Sequence, residues 1–189
     1  MINWKEDFDQ YYDTRMKEFQ RSYNEFLEIT DHEEAMIVVI RAHLYIEQEI
    51  NQLLHKVLEI VPDMTFSQKI NFCKSLLIID KDMIGPLNKF NTLRNSFAHN
   101  LNFKLEEKNY DDLVSTLSKS SKEQFYKDLS RFHKSEKTLL DKLRILLASI
   151  WADTKVHNMY FIFHYQKRAE EIIKREKELV EDMKNSINK

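Results

Sequence analysis

The chain has 189 residues, of which 42% are hydrophobic, one is glycine and two are proline. This length is enough for one domain with a substantial core, and the scarcity of glycine and proline excludes a fold rich in tight hairpins. The formal net charge of −2 excludes a long basic track for nucleic acid, although a small site that touches a few phosphates stays open. Because Leu, Glu, Lys, Met and Arg all favour helices, we expect an all-α fold.

The single cysteine, Cys73, excludes an intrachain disulfide and a cysteine-rich zinc site. Since its neighbours are apolar, we expect it in the core. No segment has the apolar run of a signal peptide or the roughly 18 apolar residues of a membrane span. We therefore expect a cytoplasmic protein without membrane contact. The scattered histidines have no ligand spacing, so we expect no metal site and no cofactor.

The first predicted element is an amphipathic helix over residues 1–30. Aromatic residues recur in it at spacings of three and four, which is typical of one helix face. They are Trp4, Phe8, Tyr11, Tyr12, Phe19, Tyr23 and Phe26. The stripe favours packing against the rest of the domain over stacking on nucleic acid bases.

Two capping boxes predict the next two helices. The first, Thr30 to Glu33, would start a helix that ends near Pro62, and the second, Thr65 to Gln68, would start a shorter one. Gly85-Pro86 predicts a break before a fourth helix. The apolar side of that helix consists of Leu87, Phe90, Leu93 and Phe97.

The C-terminal part has weaker signals. Residues 115–122 are rich in serine and predict a mobile connection. Two helices are expected near 124–153 and 157–187. In the last one, apolar residues recur every seven positions, and this seam suits either a dimer contact or packing back onto the domain. They are Ile173, Val180 and Ile187.

Together these elements predict an antiparallel bundle of about six to seven helices. We expect three regions: the N-terminal helix over 1–30 packed on the domain, a core over 31–103, and C-terminal helices over 104–189. The last region is either part of the same domain or a dimerisation extension.

Polar residues near the end of the fourth helix form the candidate site. Asn95 and His99 are four positions apart and can be neighbours, with Arg94 at the edge of the same face. On the second helix, His43 and Glu47 fall on an otherwise apolar stripe. A buried carboxylate needs a partner, so we expect Glu47 to pair with Arg94. The alternative is a polar contact that only joins the two helices.

The segment Leu93-Arg94-Asn95-Ser96-Phe97-Ala98-His99-Asn100 resembles the Arg-x4-His signature of HEPN-domain proteins. The resemblance covers about residues 30–103 and implies a helical bundle whose homodimer joins two signatures in one composite site. It implies a metal-independent endoribonuclease with Arg94 and His99 as the catalytic pair, helped by Asn95 and, as a looser match, by Glu47. It also implies a toxin or phage-defence effector that acts on RNA, with an antitoxin or regulatory protein as a further partner.

The layout is also similar to that of mannitol-operon-repressor-type regulators. The alternative function is therefore a non-catalytic helical regulatory or partner-binding module, in which the same polar cluster ties helices together. One HEPN subgroup has a tyrosine that its antitoxin modifies two residues after the histidine. Leu101 occupies that position here, so we do not expect that mode of control.

Overall fold

The computed structural model describes residues 4–132, 136–161, 172–181 and 183, with side chains from Thr14 onward. It divides into two compact units, Met1–Asn158 and Met159–Lys189. The helices are α1 (Trp4–Ile29), α2 (Ala35–His55), α3 (Phe66–Ser75), α4 (Lys81–His99), α5 (Glu107–Ser115), α6 (Lys119–Arg131) and α7 (Leu139–Met159). Residues 172–181 and 183 of the second unit are also helical. Since these residues include no strand, the expected all-α class is confirmed.

An aromatic cluster joins α1 to α2 and α7. The Trp151 ring stacks on Phe26, with the ring centroids 5.0 Å apart, and on Phe19 at 6.1 Å. Tyr45 of α2 meets Phe26 edge-on at 5.5 Å. Trp151 and Phe26 are buried almost completely, and burying such large rings contributes strongly to stability. The side chains of the stripe before Thr14 lie outside the described part of the chain.

Helices α2, α3 and α4 pack against one another and carry the candidate site. All four residues of the predicted apolar side of α4 are buried, which confirms that helix face. Those residues are Leu87, Phe90, Leu93 and Phe97. Because a helix has 3.6 residues per turn, burying this side leaves the asparagines and His99 on the other side of α4.

The two predicted capping boxes have different outcomes. Thr65 forms the expected box, in which its hydroxyl accepts from the Gln68 N–H while the Gln68 side chain accepts from the Thr65 N–H. The box at Thr30 is wrong, because the Thr30 hydroxyl donates to the Phe26 carbonyl, 2.7 Å away, at the end of α1. Helix α2 begins later, at Ala35, without a side-chain cap.

Three predicted boundaries are also wrong. Helix α4 begins at Lys81 and continues through Pro86, because burial of Pro86 and the neighbouring apolar side of α4 offsets the cost of a proline inside a helix. The connection predicted over residues 115–122 spans only 116–118, because α5 ends at Ser115 and α6 begins at Lys119. Ser118 caps α6 by accepting from the Ser121 N–H at 3.2 Å. Helix α7 runs through the expected break near 153–157, and the actual break lies between Arg131 and Leu139.

Residues 104–158 belong to the same compact unit as α1 to α4. In the second unit, Ile173 and Val180 of the predicted seam are each about half exposed, whereas Ile187 lies outside the described residues. None of the helices within the described residues is both long enough and apolar enough to cross a bilayer.

Candidate functional site

The Arg-x4-His residues occupy the last turns of α4. Arg94 and Asn95 are half-buried, whereas His99, the last residue of the helix, is exposed. The Arg94 guanidinium donates through Nη1 to Asn95 Oδ1 at 3.0 Å. The neighbouring asparagine therefore restrains the direction in which the arginine side chain extends.

A cleft of about 450 Å³ opens beside these residues, within the range of roughly 300–1,000 Å³ that is usual for small-ligand sites. Residues of α2, the beginning of α3 and the outer side of α4 line it. They are His43, Glu47, Thr65, Phe66, Ser67, Asn91, Arg94, Asn95 and His99. The structure thus brings all five residues of the predicted site to one cleft, although they are up to 56 positions apart in the sequence.

The expected ion pair between Glu47 and Arg94 is wrong. Glu47 Oε1 pairs with Lys69 Nζ of α3 at 2.7 Å, and its Oε2 is 3.6 Å from His43 Nδ1. Within the described residues, no ion pair joins Glu47 to Arg94. Helix α3 packs against α2 and presents Lys69 to the carboxylate, so the acid is neutralised by a residue that we did not single out in the sequence.

His43 is buried beside the cleft, with 4% of its surface exposed. Its ring packs on Phe66, the first residue of α3, at a centroid distance of 4.6 Å. Burial, and next the positive charge of Arg94, lower the pKa of His43 to about 4. The imidazole is therefore neutral at pH 7, and within the part of the chain that the structure describes its Nε2 has no hydrogen-bond partner.

The charges around the cleft leave a positive excess. Glu47 and Lys69 cancel as a close ion pair, and His43 is neutral, whereas the positive charge of Arg94 is not paired with a carboxylate among the described residues. The Arg94 Nε is buried and, among the same residues, lacks a hydrogen-bond partner. An arginine whose charge is not paired, beside a polar cleft, is suited to an anion, above all to a phosphate group.

Sequence reasoning missed Lys69, Ser67 and Asn91 as neighbours of the site. The capping box at Thr65 correctly marks the start of α3. Local spacing does not show, however, that this helix end lies at the cleft. Asn91 shares the polar side of α4 with Asn95, one turn before it, and this signal could have found it.

Other reactive groups lie elsewhere. Cys73 is buried as expected, and burial raises the pKa of its thiol to about 12, which makes it a poor nucleophile. In the described part of the chain, no three His, Cys, Asp or Glu side chains are grouped closely enough to hold a metal ion.

No family model, curated protein or solved structure matches the chain. The candidate function is therefore judged by the chemistry of the cleft, together with the resemblance of residues 93–100 to the HEPN signature.

Proposed function

We propose that the protein is a HEPN-type, metal-independent endoribonuclease that acts as a homodimer. The observation that carries the proposal is that Arg94, Asn95 and His99 line one open cleft with an excess of positive charge. The same cleft offers an exposed imidazole and a guanidinium whose charge no carboxylate among the described residues pairs. These are the groups that metal-free phosphodiester cleavage requires.

In the proposed reaction the RNA supplies its own nucleophile, the 2′-hydroxyl. One His99 takes the proton of that hydroxyl while the 2′-oxygen bonds to phosphorus. The bond from phosphorus to the 5′-oxygen breaks, and that oxygen receives a proton from a second, protonated His99. The products are a 2′,3′-cyclic phosphate and a 5′-hydroxyl, so the proton balance closes without a further reactant.

Arg94 has the electrostatic role in this scheme. Its guanidinium stabilises the extra negative charge on the phosphorus centre by paired hydrogen bonds. Asn95 is a positioning residue, because it accepts a hydrogen bond from Arg94 at 3.0 Å and limits the rotation of the guanidinium. Glu47 does not position Arg94 by an ion pair. Its carboxylate instead lies between Lys69 and His43 at the back of the cleft.

The homodimer is part of the proposal because one chain supplies only one His99. A two-fold symmetric pair brings identical surfaces together, and two exposed His99 residues near the axis would supply both the base and the acid. An RNA target in a toxin–antitoxin or phage-defence setting, with an antitoxin or regulatory protein as partner, follows the same resemblance.

The test is digestion of labelled RNA in the presence of a chelator. We expect His99→Ala and Arg94→Ala to lower the cleavage rate about 10²–10⁴-fold, with an unchanged circular dichroism spectrum and melting temperature. Product ends are identified by mass spectrometry as 2′,3′-cyclic phosphates. Matched controls are His55→Ala, an exposed histidine at the end of α2, and Arg131→Ala, an exposed arginine at the end of α6. Both should retain wild-type activity.

Full activity of folded His99→Ala would refute the catalytic assignment. A folded wild-type dimer that binds a protein or nucleic acid partner but cleaves no RNA would instead favour the regulatory module of mannitol-repressor type.

A further inference from the structure

The first turn of α3 faces the cleft with unused backbone donors. Thr65, Phe66 and Ser67, the N-cap and the first two residues of this ten-residue helix, all line the cleft. The Thr65 and Gln68 N–H groups are satisfied by the capping box, and the Lys69 N–H donates to the Thr65 carbonyl at 2.9 Å. The N–H groups of Phe66 and Ser67 have no hydrogen-bond partner within the described residues. Such free donors at a helix N-terminus attract anions.

A second, independent observation also indicates a ligand beside this turn. His43, whose ring packs on Phe66, is 96% buried and lines the same cleft, yet its Nε2 has no partner among the described residues. A buried polar atom without a hydrogen bond is unfavourable, so each one in a native structure calls for an explanation. A polar ligand in the cleft would supply the missing partner.

The charges beside the turn are compatible with an anion. The one carboxylate that lines the cleft is Glu47, and Lys69, in the first turn of the same helix, neutralises it at 2.7 Å. Arg94 stands on the α4 side of the cleft, and no carboxylate among the described residues pairs with its positive charge. An anion would therefore meet donors from α3 and from α4 and one neutralised acid.

We propose that the N-terminus of α3 is a phosphate-binding subsite of the cleft, which takes a backbone phosphate of the bound nucleic acid next to the phosphate that Arg94 holds. The Phe66 and Ser67 N–H groups donate to its oxygens, together with the Ser67 hydroxyl. That the phosphate belongs to a nucleic acid rests on the proposed function, whereas the phosphate site itself does not. With two subsites in one cleft, the ligand carries at least two phosphates, as two successive nucleotides of an RNA strand do.

The subsite is tested first with inorganic phosphate. We expect the amide NMR signals of Phe66 and Ser67 in the full-length, ¹⁵N-labelled protein to shift and saturate as phosphate is added, and the His43 ring signals to shift with them. The informative variant is Ser67→Asp, since a carboxylate in the first turn favours the helix but occupies the subsite. It should keep or raise the melting temperature and weaken phosphate binding at least about tenfold.

Two controls separate occupation of the subsite from a general change of charge. Ser67→Asn has a similar size without the charge, and Asn71→Asp places the same charge one turn further along α3 at an exposed position. Asn71→Asp should bind phosphate within about twofold of wild type. Ser67→Asn loses the hydroxyl donor but adds no charge, so it should weaken binding less than Ser67→Asp. Absence of shifts at Phe66 and Ser67, or equal weakening by Ser67→Asp and Asn71→Asp, would overturn the subsite.

An uncleavable RNA with 2′-O-methyl groups distinguishes free phosphate from a backbone phosphate. We expect Ser67→Asp to weaken binding of this RNA as it weakens binding of phosphate. If wild type bound phosphate at Ser67 but never cleaved RNA, the subsite would stand and the ribonuclease proposal would fail. If Ser67→Asp cleaved RNA with wild-type KM, the subsite would fail and the ribonuclease proposal would stand.

Discussion

Helix α2 carries two carboxylates, Glu47 and Glu49, that lie two residues apart in different surroundings. Glu47 pairs with Lys69 of α3 at 2.7 Å, and Glu49 pairs with Lys155 of α7 at 3.1 Å. The two lysine side chains are equally covered, each 13% exposed, but the Glu47 side chain is 24% exposed and that of Glu49 only 5%. The two ion pairs thus differ in the access that solvent has to the acid.

The surroundings of Glu49 tie helices together. Asn158 donates through Nδ2 to Glu49 Oε2 at 2.7 Å and to Gln52 Oε1 at 2.9 Å, so both Glu49 oxygens are engaged across α2 and α7. Glu47 also pairs with a lysine, but it lines the cleft. A buried ion pair is therefore not by itself a functional site. An acid that a ligand can reach can shape binding, whereas a sealed acid acts on the fold.

The largest effect that we expect from this comparison is on stability. Glu49→Ala leaves the largely covered Lys155 without its ion-pair partner and removes one of the two acceptors of Asn158. It should therefore lower the free energy of unfolding by about 3 kcal/mol, as measured by urea denaturation. The matched control Glu59→Ala, at an exposed position beyond α2, should stay within about 0.5 kcal/mol of wild type. A loss below about 1 kcal/mol for Glu49→Ala would show that the sealed pair contributes little.

The next effect is a pH dependence of protein stability that arises from His43, on the cleft side of α2. The pKa of His43 is about 4 in the folded chain, against an ordinary value near 6.5. As the pH falls from 6.5 toward 4, the unfolded chain binds a proton that the folded chain does not bind. The free energy of unfolding should therefore fall by up to about 1.4 kcal/mol per pH unit in this window.

His43→Leu removes that contribution. The free energy of unfolding of wild type minus that of the variant should therefore be larger at pH 7 than at pH 5. Urea denaturation at the two pH values measures it. His55→Leu, at an exposed position of α2, should keep the wild-type dependence. An unchanged pH dependence in His43→Leu would mean that His43 titrates normally in the folded protein.

The smallest effect is on phosphate affinity, and it has opposite signs for Glu47 and for Lys69, its ion-pair partner. Glu47→Gln removes a negative charge from the cleft and should tighten phosphate binding, whereas Lys69→Met exposes that charge and should weaken it. Each change should be about fivefold, as for about 1 kcal/mol between partly screened charges.

Isothermal titration with inorganic phosphate measures these affinities, and the double variant Glu47→Gln/Lys69→Met should return close to wild type. The matched control is Glu59→Gln, outside the cleft. Effects of the same sign for the two single variants would show that the pair acts through the local structure and not through its charges.

The features that could be predicted from sequence depend on residues that are close together along the chain. The apolar side of α4 follows from spacing along a single helix, and the Thr65 cap follows from a contact over three residues. The Thr30 box failed although its spacing was equally good. Its hydroxyl had a competing acceptor one turn back, on the Phe26 carbonyl, and spacing alone does not decide that competition.

Pairing between helices was harder to predict. The expectation that Glu47 needs a buried cation was physically sound, but Arg94 and Lys69 were both available and the packing of α3 selected Lys69. The pairing of Arg94 with His99 was expected from the resemblance, and the position of His43 near Arg94 from the apolar stripe of the second helix. The contribution of Ser67 depends on the direction of α3. These choices are set by tertiary packing, which leaves no periodic trace in the sequence.

The burial of Cys73 has a practical consequence. The only thiol of the chain is inaccessible and stays protonated, so a cysteine introduced on the surface would be the sole target of a maleimide label. Leu101, 95% exposed and two residues beyond His99, is a suitable position. Spin labels attached there in two copies would report the separation of the two α4 ends directly, by pulsed electron paramagnetic resonance in solution.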